Sequence, residues 1–467
     1  MAQTRRDFLR TSACALGGLA MASSLDTFGV VHALTPQAAT DYKALVCVFL
    51  NGGNDGNNML VSLDQYASYS AVRSAAGLAI SQASLLPVSP VSGGSYGFHP
   101  NMPEVRNLFD SGKLAVLCNN GPLVEPLNKT TYQNGTGKKP LQLFSHSDQV
   151  GLFQTAIANT VSQTGWGGRV ADKTVGLNGL ATFPNNVSIA GVNLFLTGVD
   201  TRQLAVADSG TSLANVLLLS DAPGATSGEI SSRKASFDEL RGFDNNFKLI
   251  KAASDTRSSS IQTDNALSSV SPTLATVFPN TSLGRQLKQV ALLIKAATDP
   301  NAGINMKRQI FFTQIGGFDT HSAQINGQAN LLLQLSQAMN AFFGATVELG
   351  LSDKITLFTM SDFGRTLQPA GAGANIVGSD HAWGNHQLIL GGAVLGHTLY
   401  GTYPTLALGG PEDTDSGSTP RGRWIPTTSV EQYAATLATW YGLSSADLSA
   451  VFPLIGRFGT PNLGFLS

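Results

Sequence analysis

Gln309-Ile310-Phe311-Phe312-Thr313-Gln314-Ile315 runs directly into Gly316-Gly317-Phe318-Asp319-Thr320-His321, and the fold can be read from that junction. A largely apolar run with no polar alternation predicts a strand buried on both faces, as in a parallel sheet. A polar cluster at its carboxyl end falls where open α/β sheets gather their ligands. The junction repeats where Lys354-Ile355-Thr356-Leu357-Phe358-Thr359-Met360 meets Ser361-Asp362-Phe363-Gly364-Arg365-Thr366. A third cluster, Ser379-Asp380-His381-Ala382-Trp383-Gly384-Asn385-His386, leads into one more strand ending at Leu390.

Outward from this region, strand and helix alternate. Lys43 to Leu50 predicts a fully buried first strand, followed by the Gly/Asn-rich turn Asn51-Gly52-Gly53-Asn54-Asp55-Gly56-Asn57-Asn58. Pro100 to Phe109 has apolar residues at helical spacing and leads into a second strand, Lys113 to Cys118. Helices are predicted from Ser145 through Ala158, Ser282 to Ala297, Gln324 to Leu349 and Val430 to Tyr441. This is the pattern of an α/β protein with a parallel sheet covered on both faces. The less patterned span from about 185 to 270 reads as an insertion or cap, with a polar helical stretch near Phe237 to Ala253, and residues 408 to 425 read as a Gly-, Pro- and acid-rich loop.

Only 13% of the 467 residues are charged, against about 25% in an average protein, and the formal net charge is -1. That balance offers no electrostatic footprint for nucleic acid or an anionic membrane surface. Thr4-Arg5-Arg6-Asp7-Phe8-Leu9-Arg10 ahead of a weakly apolar run from Ala13 to Ala22 reads as a twin-arginine signal, with Val31-His32-Ala33 as the cleavage site. Expected, then, are a signal peptide over 1–33, one domain over 34–467, passage through the twin-arginine translocase, and a periplasmic or secreted product without a stable membrane anchor. Cys47 and Cys118 each lie in an apolar run and are expected as buried thiols, with a disulfide between them left open.

Asp55, Asp319, His321, Asp362, Asp380 and His381 are oxygen and imidazole donors of the kind that hold a divalent cation such as Zn, Mn, Ca or Mg. Taken singly, each Asp is as well read as a cap and each His as a satisfied core or surface residue. Taken as three clusters at strand ends, they predict a metal site. Ser145-His146 opens a helix, where a hydroxyl nucleophile could be aimed at an anionic ester and His146 could shuttle its proton. Arg365 could take a nonbridging oxygen or form a structural ion pair, Trp166 is expected to be packing, and Arg169 could be either an ion pair or an anion contact.

Together, the twin-arginine start, Phe49-Leu50-Asn51-Gly52-Gly53-Asn54-Asp55-Gly56, Ser145-His146, Thr164-Gly165-Trp166 with Arg169, Gly317 to His321, Ser361 to Thr366 and Asp380-His381 resemble the exported bacterial family catalogued as domain of unknown function 1501. The resemblance implies kinship with the alkaline phosphatase and sulfatase superfamily, a three-layer αβα fold and metal ligands at strand ends. It assigns Asp55 or Asn51, Asp319 with His321, Asp362, and His381 with Asp380 as ligands, and Ser145 as nucleophile. The formylglycine signature Cys/Ser-x-Pro-x-Arg is absent at Ser145, and Phe363 stands where phosphatases of the superfamily carry His, leaving a one-metal or a non-catalytic version. The implied activity is hydrolysis of a small-molecule or polymer phosphate or related ester, with Ser145 or a water as nucleophile. A periplasmic binding or assembly protein that kept the fold is the alternative. A Ser-His-Asp hydrolase ranks third, because no Gly-x-Ser-x-Gly elbow surrounds Ser145.

Overall fold

A computed structural model describes residues 38–181, 183–211, 227–242, 247, 251, 254, 272–300, 304–373 and 376–467. Along the chain come β1 (Lys43–Leu50), then a small antiparallel sheet of β2 (Leu60–Ser62), β3 (Leu86–Val88) and β4 (Tyr96–Phe98). The main sheet continues with β5 (Leu114–Gly121), β6 (Asn186–Ser188), β7 (Gln203–Ala205), β8 (Arg308–Ile315) and β9 (Ile355–Ser361). After the antiparallel pair β10 (Arg365–Ala370) and β11 (Gly378–His381) come β12 (Asn385–Leu390), β13 (Leu399–Gly401) and β14 (Thr428–Ser429).

The main sheet runs β13-β5-β12-β9-β1-β8-β6-β7, with β14 beside β5. Its pairs are parallel except those of β12, which is antiparallel to both β5 and β9. Alternation along β1 shows why both faces are covered. Ala44, Val46, Val48 and Leu50 enter one apolar core, while Leu45, Cys47 and Phe49 enter the other. The first core is closed by helices α1 (Pro103–Asp110), α3 (Ser282–Thr298) and α4 (Gln324–Glu348), and the second by α2 (Trp166–Thr174) and α5 (Val430–Tyr441). This is the expected three-layer αβα arrangement on a mostly parallel sheet.

Trp166 is fully buried among Phe195, Phe358 and Phe452, so it is packing. Arg169 donates to the carbonyls of Thr155, Thr164 and Val451 and holds two helix ends and a loop together rather than an anion. Cys47 and Cys118 are buried and free, and burial pushes both thiols well up from their usual range. Within the span expected as an insertion, β6 and β7 add two parallel strands to the sheet edge, while residues 212–226 and most of 243–271, including much of the expected polar helical stretch, lie outside the described residues. The segment expected as a signal peptide, 1–33, also lies outside them. No helix among the described residues is long and apolar enough to cross a membrane.

Register fixes what happens at the carboxyl end. Leu50 of β1 stands opposite Ile315 of β8 and Ser361 of β9, so the turns that follow all three strands emerge side by side. Gly52, at φ 114°, fills the space between them, and a Cβ there would lie 2.4 Å from the Asp319 nitrogen. No other residue fits that contact.

Candidate functional site

Asp319, on the turn after β8, sits at the centre of the carboxyl-end cluster. Its Oδ1 lies 3.3 Å from His146 Nε2, 3.1 Å from His321 Nε2 and 3.5 Å from His381 Nε2, and the two latter nitrogens are 2.9 Å apart. His146 belongs to the first turn of the helix His146–Thr155, and His381 ends β11. One donor atom each from His146, Asp319 and His381 falls within 4.8 Å of the others. Ligands about 2.0–2.1 Å from a tetrahedral ion are roughly 3.3 Å from one another, so these separations suit one small cation.

The far sides of the two rings say more. The Phe144 carbonyl, which can only accept, lies 2.8 Å from His381 Nδ1, so that nitrogen carries the proton. Phe144 holds φ 71°, a left-handed conformation that costs a bulky residue on the order of 1–3 kcal/mol. Asp362 Oδ2 lies 2.8 Å from His146 Nδ1, while its Oδ1 accepts from the Gly52 N–H at 3.0 Å. In the tautomer that carries the proton on Nδ1, each ring presents Nε2 to the same carboxylate oxygen. His146 Nε2 is buried without a hydrogen-bond partner. Such an arrangement calls for a positive charge between the donors.

Asp319 remains about half exposed. Its partial burial alone would raise its pKa, but the Arg365 hydrogen bond and charge, with help from His146 and His321, hold it down at about 2. Desolvation lowers His381, and the charges of His146, Arg365 and His321 act in the same direction against the bond to Phe144. Both shifts favour the forms that donate electron pairs. The Phe363 ring packs against His146 and His381 with centroids 4.7 and 4.6 Å away, so one flank of the cluster is apolar.

Several expected site residues have other partners. The Asp55 carboxylate accepts from Arg73 at 2.6 and 3.2 Å, from Gln324 at 2.5 Å and from the Asn57 side chain and backbone, all in the interior. Asp362, fully buried, has both oxygens engaged and orients His146 from behind. Asp380 stands 3.4 Å from His321 Nδ1 and reaches the cluster only through that ring. Arg365 is not free for a substrate oxygen, because it donates to the carbonyls of Gly52, Gly53, Phe318 and Ser379 as well as to Asp319. The Ser145 hydroxyl donates to Asp148 Oδ2 at 2.6 Å. His386 is stacked on Tyr403 and pushed down to about 4 by burial, which makes it a neutral core residue. A depression of 310 Å³ lined by Glu104, Thr276 and Gln337 shares no residue with the cluster.

Sequence reasoning singled out His146 as a proton shuttle rather than a donor beside Asp319. Its place at a helix start, directly after Ser145, was the available signal. Phe144 gave none, because its contribution is a backbone carbonyl.

A family model described as a protein of unknown function, DUF1501, matches residues 304–414, a span that holds Asp319, His321, Asp362, Arg365, Asp380 and His381 and excludes His146. No curated protein matches the sequence. Among solved structures, the chain is similar to the C-terminal periplasmic domain of EcEptC from Escherichia coli in complex with zinc, at 10% identity and a TM-score of 0.29, covering 76% of each chain. It is similar to the soluble domain of lipooligosaccharide phosphoethanolamine transferase A from Neisseria meningitidis at 8% identity and a TM-score of 0.34, covering 88% of this chain and 91% of that one. A sulfatase from Pseudoalteromonas sp. matches at 9% identity and a TM-score of 0.28, covering 77% and 64%. Scores this low carry no weight on chemistry.

Proposed function

We propose that the chain is an exported metal-dependent hydrolase of phosphate or related esters in which His146, Asp319 and His381 hold one divalent cation, with His321 as an adjoining donor. The observation behind this reading is the convergence of His146 Nε2 and His381 Nε2 on one oxygen of Asp319, with both Nδ1 atoms tied back. A set of imidazoles with one carboxylate suits Zn or Mn better than Ca or Mg. When bound, the cation would supply Lewis-acid stabilisation of charge on the transferred group and ease deprotonation of a water.

The chain's own residues prepare that chemistry. Asp362 and the Phe144 carbonyl fix the tautomers of His146 and His381. Arg365 places Asp319 and keeps it ionised. The Phe363 ring keeps water off one flank of both imidazoles. Water is preferred over Ser145 as nucleophile, because the Ser145 proton is directed to Asp148.

Metal content of the purified protein, paired with turnover of a generic aryl phosphate, tests the reading. Wild type should bind about one cation per chain at this cluster, and Asp319→Ala and His146→Ala should each lose cation and turnover together. A wild-type protein that takes up no Zn or Mn would sink it. Export belongs to the same proposal: replacing Arg5 and Arg6 with Lys should leave the chain in the cytoplasm, and unimpaired export would refute the twin-arginine reading.

A second reading, a non-catalytic periplasmic binding or assembly protein, draws support from the commitment of Ser145 to Asp148 and of Arg365 to backbone carbonyls. Stoichiometric metal with no turnover across phosphate and sulfate esters would favour it.

A further inference from the structure

A second arginine touches the residue that orients His381, and its environment is the reverse of that of Arg365. Arg423 lies in the 408–425 loop, which is organised by the fully buried Asp413. That carboxylate accepts four backbone N–H groups, from Gly409, Asp415, Gly422 and Arg423 itself, at 2.9 to 3.1 Å. The backbone of Arg423 is therefore fixed. Its guanidinium carbon lies 4.2 Å from the centre of the Phe144 ring, and Phe144 is the residue whose carbonyl holds His381.

Unlike Arg365, Arg423 has no acceptor among the described residues. Among the described residues, nothing accepts a hydrogen bond from its guanidinium, and its Nε is buried without a partner. Asp415 and Asp380 act on it only through space, and Asp415 is already bonded to Arg421 at 2.9 Å. A cation held on an aromatic face with unused donors is poised to take an anion, because the guanidinium fork matches the oxygens of phosphate and sulfate.

We propose that Arg423 is a specificity-determining residue at the rim of the cluster, where it takes an anionic oxygen of the substrate. The substrate class is thereby narrowed to negatively charged esters. The proposal rests on the hydrolase reading for what happens to the ester, but anion binding by Arg423 stands apart from metal binding.

Calorimetric titration of inorganic phosphate into the full mature chain at low ionic strength, after treatment with EDTA, separates the two. Wild type should bind phosphate without metal, Arg423→Gln should weaken binding by about tenfold or more, and Arg423→Lys should recover part of the loss. Undiminished binding by a folded Arg423→Gln, or no phosphate binding by metal-free wild type, overturns the proposal. If Arg423→Gln does not fold, Arg423→Lys decides: an affinity equal to that of wild type at raised ionic strength as well as low refutes the role. A wild-type protein that binds phosphate through Arg423 but never takes up Zn or Mn would instead refute the metal-dependent hydrolase and leave the anion site standing.

Discussion

Two carboxylates on neighbouring turns, Asp55 and Asp319, look alike in sequence and have opposite surroundings. Asp55 is 1% exposed, paired to a fully buried Arg73 and joined through Gln324 to Ser379 and through Arg73 to Asn58 and Tyr69. Every oxygen there has a donor. Asp319 is half exposed, and apart from Arg365 its neighbours are three imidazole nitrogens, two of them on rings tied back through Nδ1. The difference teaches that a closed polar network holds the turns in place, while facing electron-pair donors mark where chemistry can happen.

The comparison breaks first if the closed network proves dispensable. Arg73→Met leaves Asp55 buried without its cation, an error that costs about 3–5 kcal/mol. Urea unfolding should show this loss. Asp319→Ala removes a half-exposed partner of the buried Arg365, which keeps its four carbonyl acceptors, so it should destabilise less than Arg73→Met while abolishing metal uptake. Equal destabilisation by the two variants would erase the distinction.

Glu431 sharpens it with a third kind of carboxylate. It is 2% exposed, accepts the Leu454 N–H, and leaves its other oxygen without a partner. Burial raises it from 4.5 to about 8, with Leu454 and the charges of Arg169 and Arg457 opposing. An acid whose folded pKa is raised contributes stability fully present below its unfolded value and lost as pH rises through the folded one. Wild type should therefore lose stability relative to Glu431→Gln from about pH 4.5 to about 8, by roughly 1 kcal/mol per pH unit. Unfolding curves at pH 5 and pH 8 that give the same difference between the two proteins would show that Glu431 is paired after all.

Asp362 lies between the two extremes, as fully buried as Asp55 yet bonded to a residue of the cluster. Asp362→Asn keeps the shape but weakens the hold on the His146 tautomer. Metal affinity, measured by competition with a chelator, should fall about 10–100-fold with the ligands intact. Unchanged affinity would mean that His146 needs no orienting from behind.

Much of this was legible because it is local. The apolar runs at 43–50, 308–315 and 355–361 have strand patterning, and all three end in the polar turns that converge. Helical spacing anticipated Gln324–Glu348 and Val430–Tyr441 to within a residue. The antiparallel direction of β12 was not legible, because an apolar strand reads the same either way. Nor was the fate of Asp55: Arg73 lies eighteen residues on, in a helix whose docking against β10 brings the charge inward. The four carbonyls around Arg365 have no sequence signature at all, so sequence alone could not choose between the substrate contact and the structural role left open for it.

The smallest expected effect is also the most discriminating. Ser145 precedes its helix as N-cap but makes no side-chain capping bond, and its hydroxyl donates to Asp148. Ser145→Ala should therefore cost less than about 1 kcal/mol and leave aryl phosphate turnover within about twofold of wild type, since no transition-state contact is removed. A loss of about 10³-fold or more would make the hydroxyl the nucleophile and Asp148 the group that receives its proton. The half-exposed cluster would then activate a side chain of its own chain rather than a water. In that case the helix start at Ser145-His146 supplies the attacking oxygen and a cation donor from adjacent residues, and the distinction between holding and reacting groups would run through a single dipeptide.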